Sequence, residues 1–575
     1  MKNYSLSPFY SLVKLHILPV LVLLVLCLVI SRTLFSLELP RTNDAELHGA
    51  RLANYYLAIK QGQFPPRWAP NLNYGFGYPI FLYNYHFPYL VATFFYATFF
   101  SVEQSLNLVT VSSVFLTGIG WYLLIFFHSR QKAFAITLTG LVLTAPYFLL
   151  NIFVRGAVGE VTFFAAIPWV IFLLELFIKT KDQRWLMVFI PILTVMLLSH
   201  QFLSLLFLPF IFFYGISKDG GRRLIKPLIG AFVLSCLFVS FFYFPLAFEK
   251  NLIRLADDAS VTNFQRAFVP FERIIWSNWN YGGMNGDTSE KFTNMIGPIL
   301  FLVVIVVALK IFSKKTFQKR ELYLLFSTVV SVFLMTEYSR FIWDALPFLK
   351  FIQFPWRLLQ VILVSLPLFL TLNSKYFSSK RSILFIIFFL LSWIWIISVS
   401  LFWAKPISYI SNSDHDWREY GKTADASEEF MPKSFDQHKN YEYAEKITFR
   451  KPSDLLTQLS SELNGVTVNI NAWTGSKKVY QIDTAQEIEV IEKTMIFPGW
   501  KVIINGEERE IIDSKDLPGR VTYILAPGKY QVESFWSEDT LPRKVGNLLS
   551  LLGLGIYSLS VLYFLKNLNT KTIRL

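Results

Sequence analysis

The sequence predicts a polytopic α-helical membrane protein of about twelve transmembrane helices, with an extracytoplasmic β-sandwich-like domain before the last of them. Three observations carry this. Only 16% of the 575 residues are charged while 53% are hydrophobic, whereas soluble chains carry about 25% charged residues. Apolar runs near the ~20 residues that cross a hydrocarbon core recur along the first 403 residues and once more near the end. The stretch 404–543 is instead polar and partly alternating. Disorder, collagen and a soluble enzyme with one large core are excluded. Cys27 and Cys236 both lie in apolar runs, which leaves no disulfide framework and no Cys-based metal site. A net charge of +14 reflects basic cytoplasmic loops in such a protein, not a nucleic-acid partner.

The expected spans are 16–37, 104–127, 133–150, 161–178, 185–199, 202–217, 227–247, 295–312, 321–336, 358–372, 382–403 and 544–565. The first is too long for a cleaved signal peptide and lacks a small-residue cleavage site. With the N-terminus cytoplasmic, alternate loops are basic: Arg130/Lys132, Lys179/Lys181/Arg184, Lys218/Arg222/Arg223/Lys226, Lys314/Lys315/Lys319/Arg320 and Lys375/Lys380/Arg381. That is the positive-inside pattern, and it places the C-terminus in the cytoplasm too. Residues 87–100 are too short for a span and would invert every later loop, so they are expected as a helix lying at the outer face.

This topology gives a membrane domain 1–403 with an outer loop 38–103, an outward domain 404–543, and a final helix with its tail, 544–575. The outward domain alternates at Val466–Ile470, Ile488–Ile491, Trp500–Ile504 and Tyr523–Leu525. Turn signals at Asn505-Gly506, Pro518-Gly519 and Pro527-Gly528 separate these runs. A small antiparallel β-sandwich over about 440–540 follows.

Ionisable residues near membrane depth are costly and therefore candidates for function. Directly after the first span stands Arg41-Thr-Asn-Asp44-Ala-Glu46-Leu-His48. On a helix, Asp44 and His48 share a face, and a carboxylate with an imidazole can orient a general base or share a divalent cation. The same residues also read as a capped helix start, with Asn43 as N-cap and Asp44 and Glu46 as first-turn charges. Arg67, Trp68, Tyr78 and Tyr83 belong to a Gly-, Pro- and Asn-rich loop that suits a pocket wall or an interfacial aromatic belt. Arg155 and Glu160 bracket two glycines in the next outer loop, as a site or as an ion pair closing it. His200 marks another outer junction, as a ligand or a polar turn. Arg340 and Arg357, with Arg273 in an earlier loop, offer forked donors to lipid phosphate or snorkel to headgroups, and Gln353 near Arg357 is expected in the pocket wall. No phosphate loop, nucleophile elbow or zinc-protease helix appears.

The chain resembles the GT-C superfamily of integral-membrane glycosyltransferases, with an acidic residue soon after the first span and a large outer loop. More narrowly, Asp44-x-x-x-His48, Pro65-Pro66-Arg67-Trp68, Gly75-x-Gly77-Tyr78-Pro79, Arg155-Gly156-x-x-x-Glu160 and Phe354-Pro355-Trp356-Arg357 resemble bacterial membrane proteins described as 6-pyruvoyl-tetrahydropterin-synthase-related. The zinc-binding His cluster of the soluble pterin enzyme is missing from this chain. Phe497-Pro-Gly-Trp500 followed by Asn505-Gly506 resembles the β-domain of large bacterial GT-C-like proteins. The resemblance implies a bacterial cytoplasmic membrane and inverting transfer of a sugar from a polyprenyl-phosphate donor to an outer-face glycan, lipid or protein. It implies Asp44 and Glu160 as the catalytic carboxylates, and admits Mg²⁺ or Mn²⁺ at Asp44 and His48, since members differ in metal use. Arg340, Arg357 and Arg273 are assigned to the donor phosphate by position alone. A transporter would place charges at mid-span in paired halves, which this sequence lacks. A non-catalytic envelope scaffold is the other alternative.

Overall fold

The computed structural model describes residues 7–572 apart from 219, 257–263, 284–290, 378–382, 426, 444, 451–458 and 460. Lys380 and Arg381 of the expected basic loops lie outside the described residues. In order, the helices are α1 Ser7–Ser31, α2 Ala45–Lys60, α3 Phe87–Tyr96, α4 Val102–Ser129, α5 Lys132–Leu143, α6 Pro146–Phe153, α7 Val158–Thr180, α8 Gln183–Ser199, α9 Gln201–Ile216, α10 Ile225–Phe238 and α11 Ser240–Glu249. There follow α12 Pro298–Phe312, α13 Lys319–Met335, α14 Leu359–Leu372, α15 Ile383–Phe402 and α16 Leu541–Thr572, with several shorter helices between them.

Among the described residues, six helices are long and apolar enough to cross a membrane, or up to nine if each broken pair makes one span. Three more of the expected dozen, α8, α9 and α12, are 17, 16 and 15 residues long. The expected span 133–150 is broken: Pro146 has no N–H to give, and Ala145 before it is extended, so α5 and α6 meet at 48°. Within the expected segment 87–100, Phe87–Tyr96 form the short helix α3.

The chain forms two compact units that cut across the sequential division expected at 403 and 543. One contains 1–45, 103–236 and 263–411, and the other 46–102, 237–262 and 412–575. In the first unit, α7 and α14 are the central spans and are buried along most of their length, while α1 and α15 show much of their surface. Their ends therefore come together in the interior, where any charge they carry needs a partner.

The second unit holds the β-rich domain. Strands β1 Leu39–Pro40 and β2 Tyr409–Ile410 make a small ladder in the first unit. The domain itself contains β3 Ile447–Arg450, β4 Val466–Trp473, β5 Lys477–Thr484, β6 Ile488–Met495, β7 Trp500–Ile504, β8 Glu507–Arg509, β9 Arg520–Leu525 and β10 Gly528–Trp536. A five-stranded antiparallel sheet runs β4-β5-β10-β7-β8 and a three-stranded one β3-β6-β9. The sheets face each other through Tyr480 of β5, whose hydroxyl donates to Glu492 of β6 at 2.5 Å and also meets the Tyr523 hydroxyl of β9. Asn505 and Gly506, with φ of 51° and 89°, make the β7–β8 hairpin turn, as the Asn-Gly signal requires.

Residues 61–86 are built into this unit as core. Trp68 stacks on Trp536 at 4.9 Å between ring centroids and meets Trp500 edge-on at 5.6 Å. Gly77, at φ +80°, lies so close that an added Cβ would stand 2.3 Å from Trp68 Nε1. Gly77→Ala should therefore destabilise this unit by about 1–3 kcal/mol through overpacking and backbone strain. A melting temperature unchanged from the native protein would show that the tryptophan is not wedged there.

Candidate functional site

The apolar runs of α6, α7 and α14 each end in polar residues, and inside the first unit these ends converge on one carboxylate. Glu160, in the first turn of α7 and 1% exposed, has both oxygens engaged. Its Oε1 accepts from Arg155 Nη2 at 2.9 Å and Arg357 Nε at 3.0 Å, and its Oε2 from Tyr147 at 2.9 Å and Gln360 Nε2 at 2.8 Å. Arg155 Nη1 also donates to Asn151 Oδ1 at 2.5 Å, and its guanidinium lies 4.4 Å from the Trp356 ring centroid. Arg357 Nη1 donates to Ile352 O at 2.9 Å and Gln353 Oε1 at 2.7 Å.

Gln353 holds a left-handed backbone, φ 64° and ψ −49°, and Phe354 N donates across it to Ile352 O at 2.8 Å. A non-glycine residue in so tight a turn costs on the order of 1–3 kcal/mol. Arg357 then draws on both sides of that turn, the Ile352 carbonyl and the Gln353 side chain.

Asp44 stands beside this cluster. Residues 43 and 44 dock on the α6–α7 loop through two backbone bonds, Asn43 N to Val154 O at 2.9 Å and Asp44 N to Arg155 O at 3.0 Å. Gly156, at φ +71°, permits the approach, because a Cβ there would meet Thr42 Oγ1 at 2.0 Å. The Asp44 side chain is half-buried and feels the Arg155 charge. Asp44 and Glu160 thus flank one arginine, Glu160 enclosed and Asp44 partly open.

His200 caps α9, with Nδ1 accepting from Leu203 N at 3.4 Å and Nε2 3.9 Å from Glu160 Oε1. Burial, reinforced by the Arg357 charge, pushes its pKa down to about 3. The ordinary histidine pKa is near 6.5. Below that value the unfolded chain takes up a proton that the native imidazole refuses, so this group removes stability as pH falls from about 6.5 toward 3. Between pH 7 and about pH 4.5 the native protein should lose more melting temperature than His200→Asn, and equal losses would put the imidazole in water.

The other expected site residues are placed differently. The helix α2 starts at Ala45, so Asp44 immediately precedes it. Glu46 is exposed in the first turn of α2, and His48, 3% exposed, has Nδ1 2.7 Å from the Tyr89 hydroxyl within the second unit. Among the described residues no group of three or more His, Cys, Asp or Glu side chains can hold a metal ion.

The expected pocket wall is core. Arg67, Trp68 and Tyr78 are 0% exposed and Tyr83 1%. Arg67 is spent on Glu538 at 3.0 Å, Phe241 O at 2.6 Å and Asn547 Oδ1 at 3.0 Å. Tyr78 donates to Asp425 at 2.6 Å and Tyr83 to Glu249 O at 2.9 Å. Gln353 is 5% exposed and serves Arg357. Of the three arginines expected on the donor phosphate, Arg357 is committed to Glu160, Arg273 donates to the carbonyls of Lys291 and Phe292 at 3.2 and 3.0 Å, and half-exposed Arg340 lies 3.6 Å from Asp344. Sequence reasoning missed Tyr147 and Gln360. A glutamine opening an apolar span is itself a signal, whereas a tyrosine after a proline is none.

A family model described as 6-pyruvoyl-tetrahydropterin synthase related domain, membrane protein, matches residues 82–407. No curated protein matches the sequence. Eight solved chains match the fold. One is the oligosaccharyltransferase of Archaeoglobus fulgidus in its apo form, at 13% identity and a TM-score of 0.40, covering 70% of this chain and 56% of that one. The chain thus spans little more than half the length of that protein.

Proposed function

Because the chain belongs to the 6-pyruvoyl-tetrahydropterin synthase related family of membrane proteins, we propose that it is a membrane glycosyltransferase of the GT-C type, working at the outer face of a bacterial cytoplasmic membrane with both termini inside. The donor is a polyprenyl-phosphate-linked sugar, and the acceptor an extracytoplasmic glycan, lipid or protein. One observation carries the reading: Asp44, just past the first span, is a partly open carboxylate pinned by its backbone to a loop whose cations are already oriented.

In this reading Asp44 takes the proton of an acceptor hydroxyl as that oxygen bonds to the anomeric carbon. The bond from that carbon to phosphate breaks in the same displacement, the electron pair leaves on the phosphate, and the anomeric centre inverts. Arg155 supplies fixed positive charge beside the reaction. Glu160 is a positioning residue, because its oxygens hold Arg155 and Arg357 and leave none for an acceptor. Arg340 is the exposed candidate for the departing phosphate.

A scaffold that performs no transfer is the second reading, and the enclosure of Glu160 favours it. Purified protein in liposomes, given radiolabelled polyprenyl-phosphate hexoses and envelope extracts, should transfer label. A folded sample that transfers from no donor would leave the scaffold.

A further inference from the structure

In the first unit an apolar groove of about 400 Å³ runs between α1 and α15, lined by residues such as Leu21, Val25 and Val29 on one side and Trp393, Ile397 and Leu401 on the other. Both walls belong to helices apolar enough to cross a membrane. The groove is open sideways, since Leu21, Val25, Ile397 and Leu401 are 52, 57, 53 and 49% exposed. In a bilayer such an opening meets hydrocarbon, not water.

One end of the groove carries a cation. Arg32, exposed near the end of the span Ile17–Phe35, donates from Nη1 to Val29 O and Ser400 O, both at 2.7 Å, and from Nη2 to Leu401 O at 2.8 Å. These three acceptors all belong to residues lining the groove. A guanidinium has five N–H donors. Three are used to cap the carbonyl ends of the two helices, which fixes the fork. The Nε–H and the second Nη2–H, which together form its side-on edge, have no partner among the described residues. That edge matches two oxygens of a phosphate. A C-terminal helix cap by itself would need neither the free edge nor the groove beneath it.

We propose that this groove is a binding site for one anionic bilayer phospholipid, with a hydrocarbon chain lying along α1 and α15 and the phosphodiester gripped by the side-on edge of Arg32. The occupant is committed by charge and solvent together: a lateral apolar slot in a membrane span accepts a lipid chain, and a fixed guanidinium at its end selects a phosphate. The site does not depend on sugar transfer.

Native mass spectrometry of the full protein in detergent, after delipidation and titration with phosphatidylglycerol, should show one lipid retained. Arg32→Gln should weaken retention by at least about tenfold, the worth of a charge-assisted bidentate contact. Because that variant also loses helix-capping bonds, Val25→Trp provides a second test, filling the groove while leaving Arg32 in place. It too should lose the lipid, with a native-like melting temperature. Retention unchanged in both variants overturns the site. So does exclusive retention of a polyprenyl phosphate when both lipids are offered, because the occupant would then be a different lipid.

Discussion

Glu160→Gln is expected to lower the stability of the membrane unit by about 3–5 kcal/mol, because Arg155 and Arg357 keep their burial and lose their counter-charge. Both guanidiniums lie within hydrogen-bond reach of one carboxylate oxygen, and a neutral amide cannot balance them. Melting curves in detergent give the size of the loss. The double variant Glu160→Gln with Arg357→Gln removes one orphaned cation along with the anion, and should recover at least about 1 kcal/mol relative to the sum of the single changes. Strict additivity would mean that the two side chains do not share a buried environment. A Glu160→Gln protein as stable as the native one would mean that water reaches the cluster.

Asp44→Asn should separate chemistry from folding. Asparagine keeps the backbone N–H to Arg155 O bond and loses the charge that Arg155 feels from this half-buried side chain, so stability should fall by no more than about 1 kcal/mol. Transfer of labelled sugar should fall by about 10²–10⁴-fold, the usual share of a general base. Retained transfer would assign the proton to another group. A stability loss comparable to that of Glu160→Gln would make Asp44 part of the frame and not of the reaction.

Much of the fold was legible because membranes and sheets impose short-range rules. Spans are set by hydrocarbon thickness, and α4, α7 and α16 stand within a few residues of where the apolar runs place them. Strands β4, β6, β7 and β9 were found by alternation, and the Asn505-Gly506 turn by its need for two positive φ angles. Strands β5 and β10 escaped because Lys477, Lys478 and Glu533 interrupt the apolar pattern. Yet Lys478 is buried, 4.0 Å from the Trp500 ring centroid. Arg155 and Glu160 were singled out together because they are five residues apart. Arg357 was singled out for a lipid phosphate, whereas the carboxylate it meets, Glu160, stands 197 residues away.

Composition, apolar length and period determined by themselves that this chain enters a membrane and carries a sheet-bearing domain before its last helix, because those quantities act on neighbouring residues whatever the rest of the chain does. Tertiary structure alone decided that Arg67, Trp68, Tyr78 and Tyr83 are core, that Arg357 neutralises Glu160, and that Arg32 has an edge to spare. A buried charge must find its counterpart in space, and sequence separation does not encode that distance.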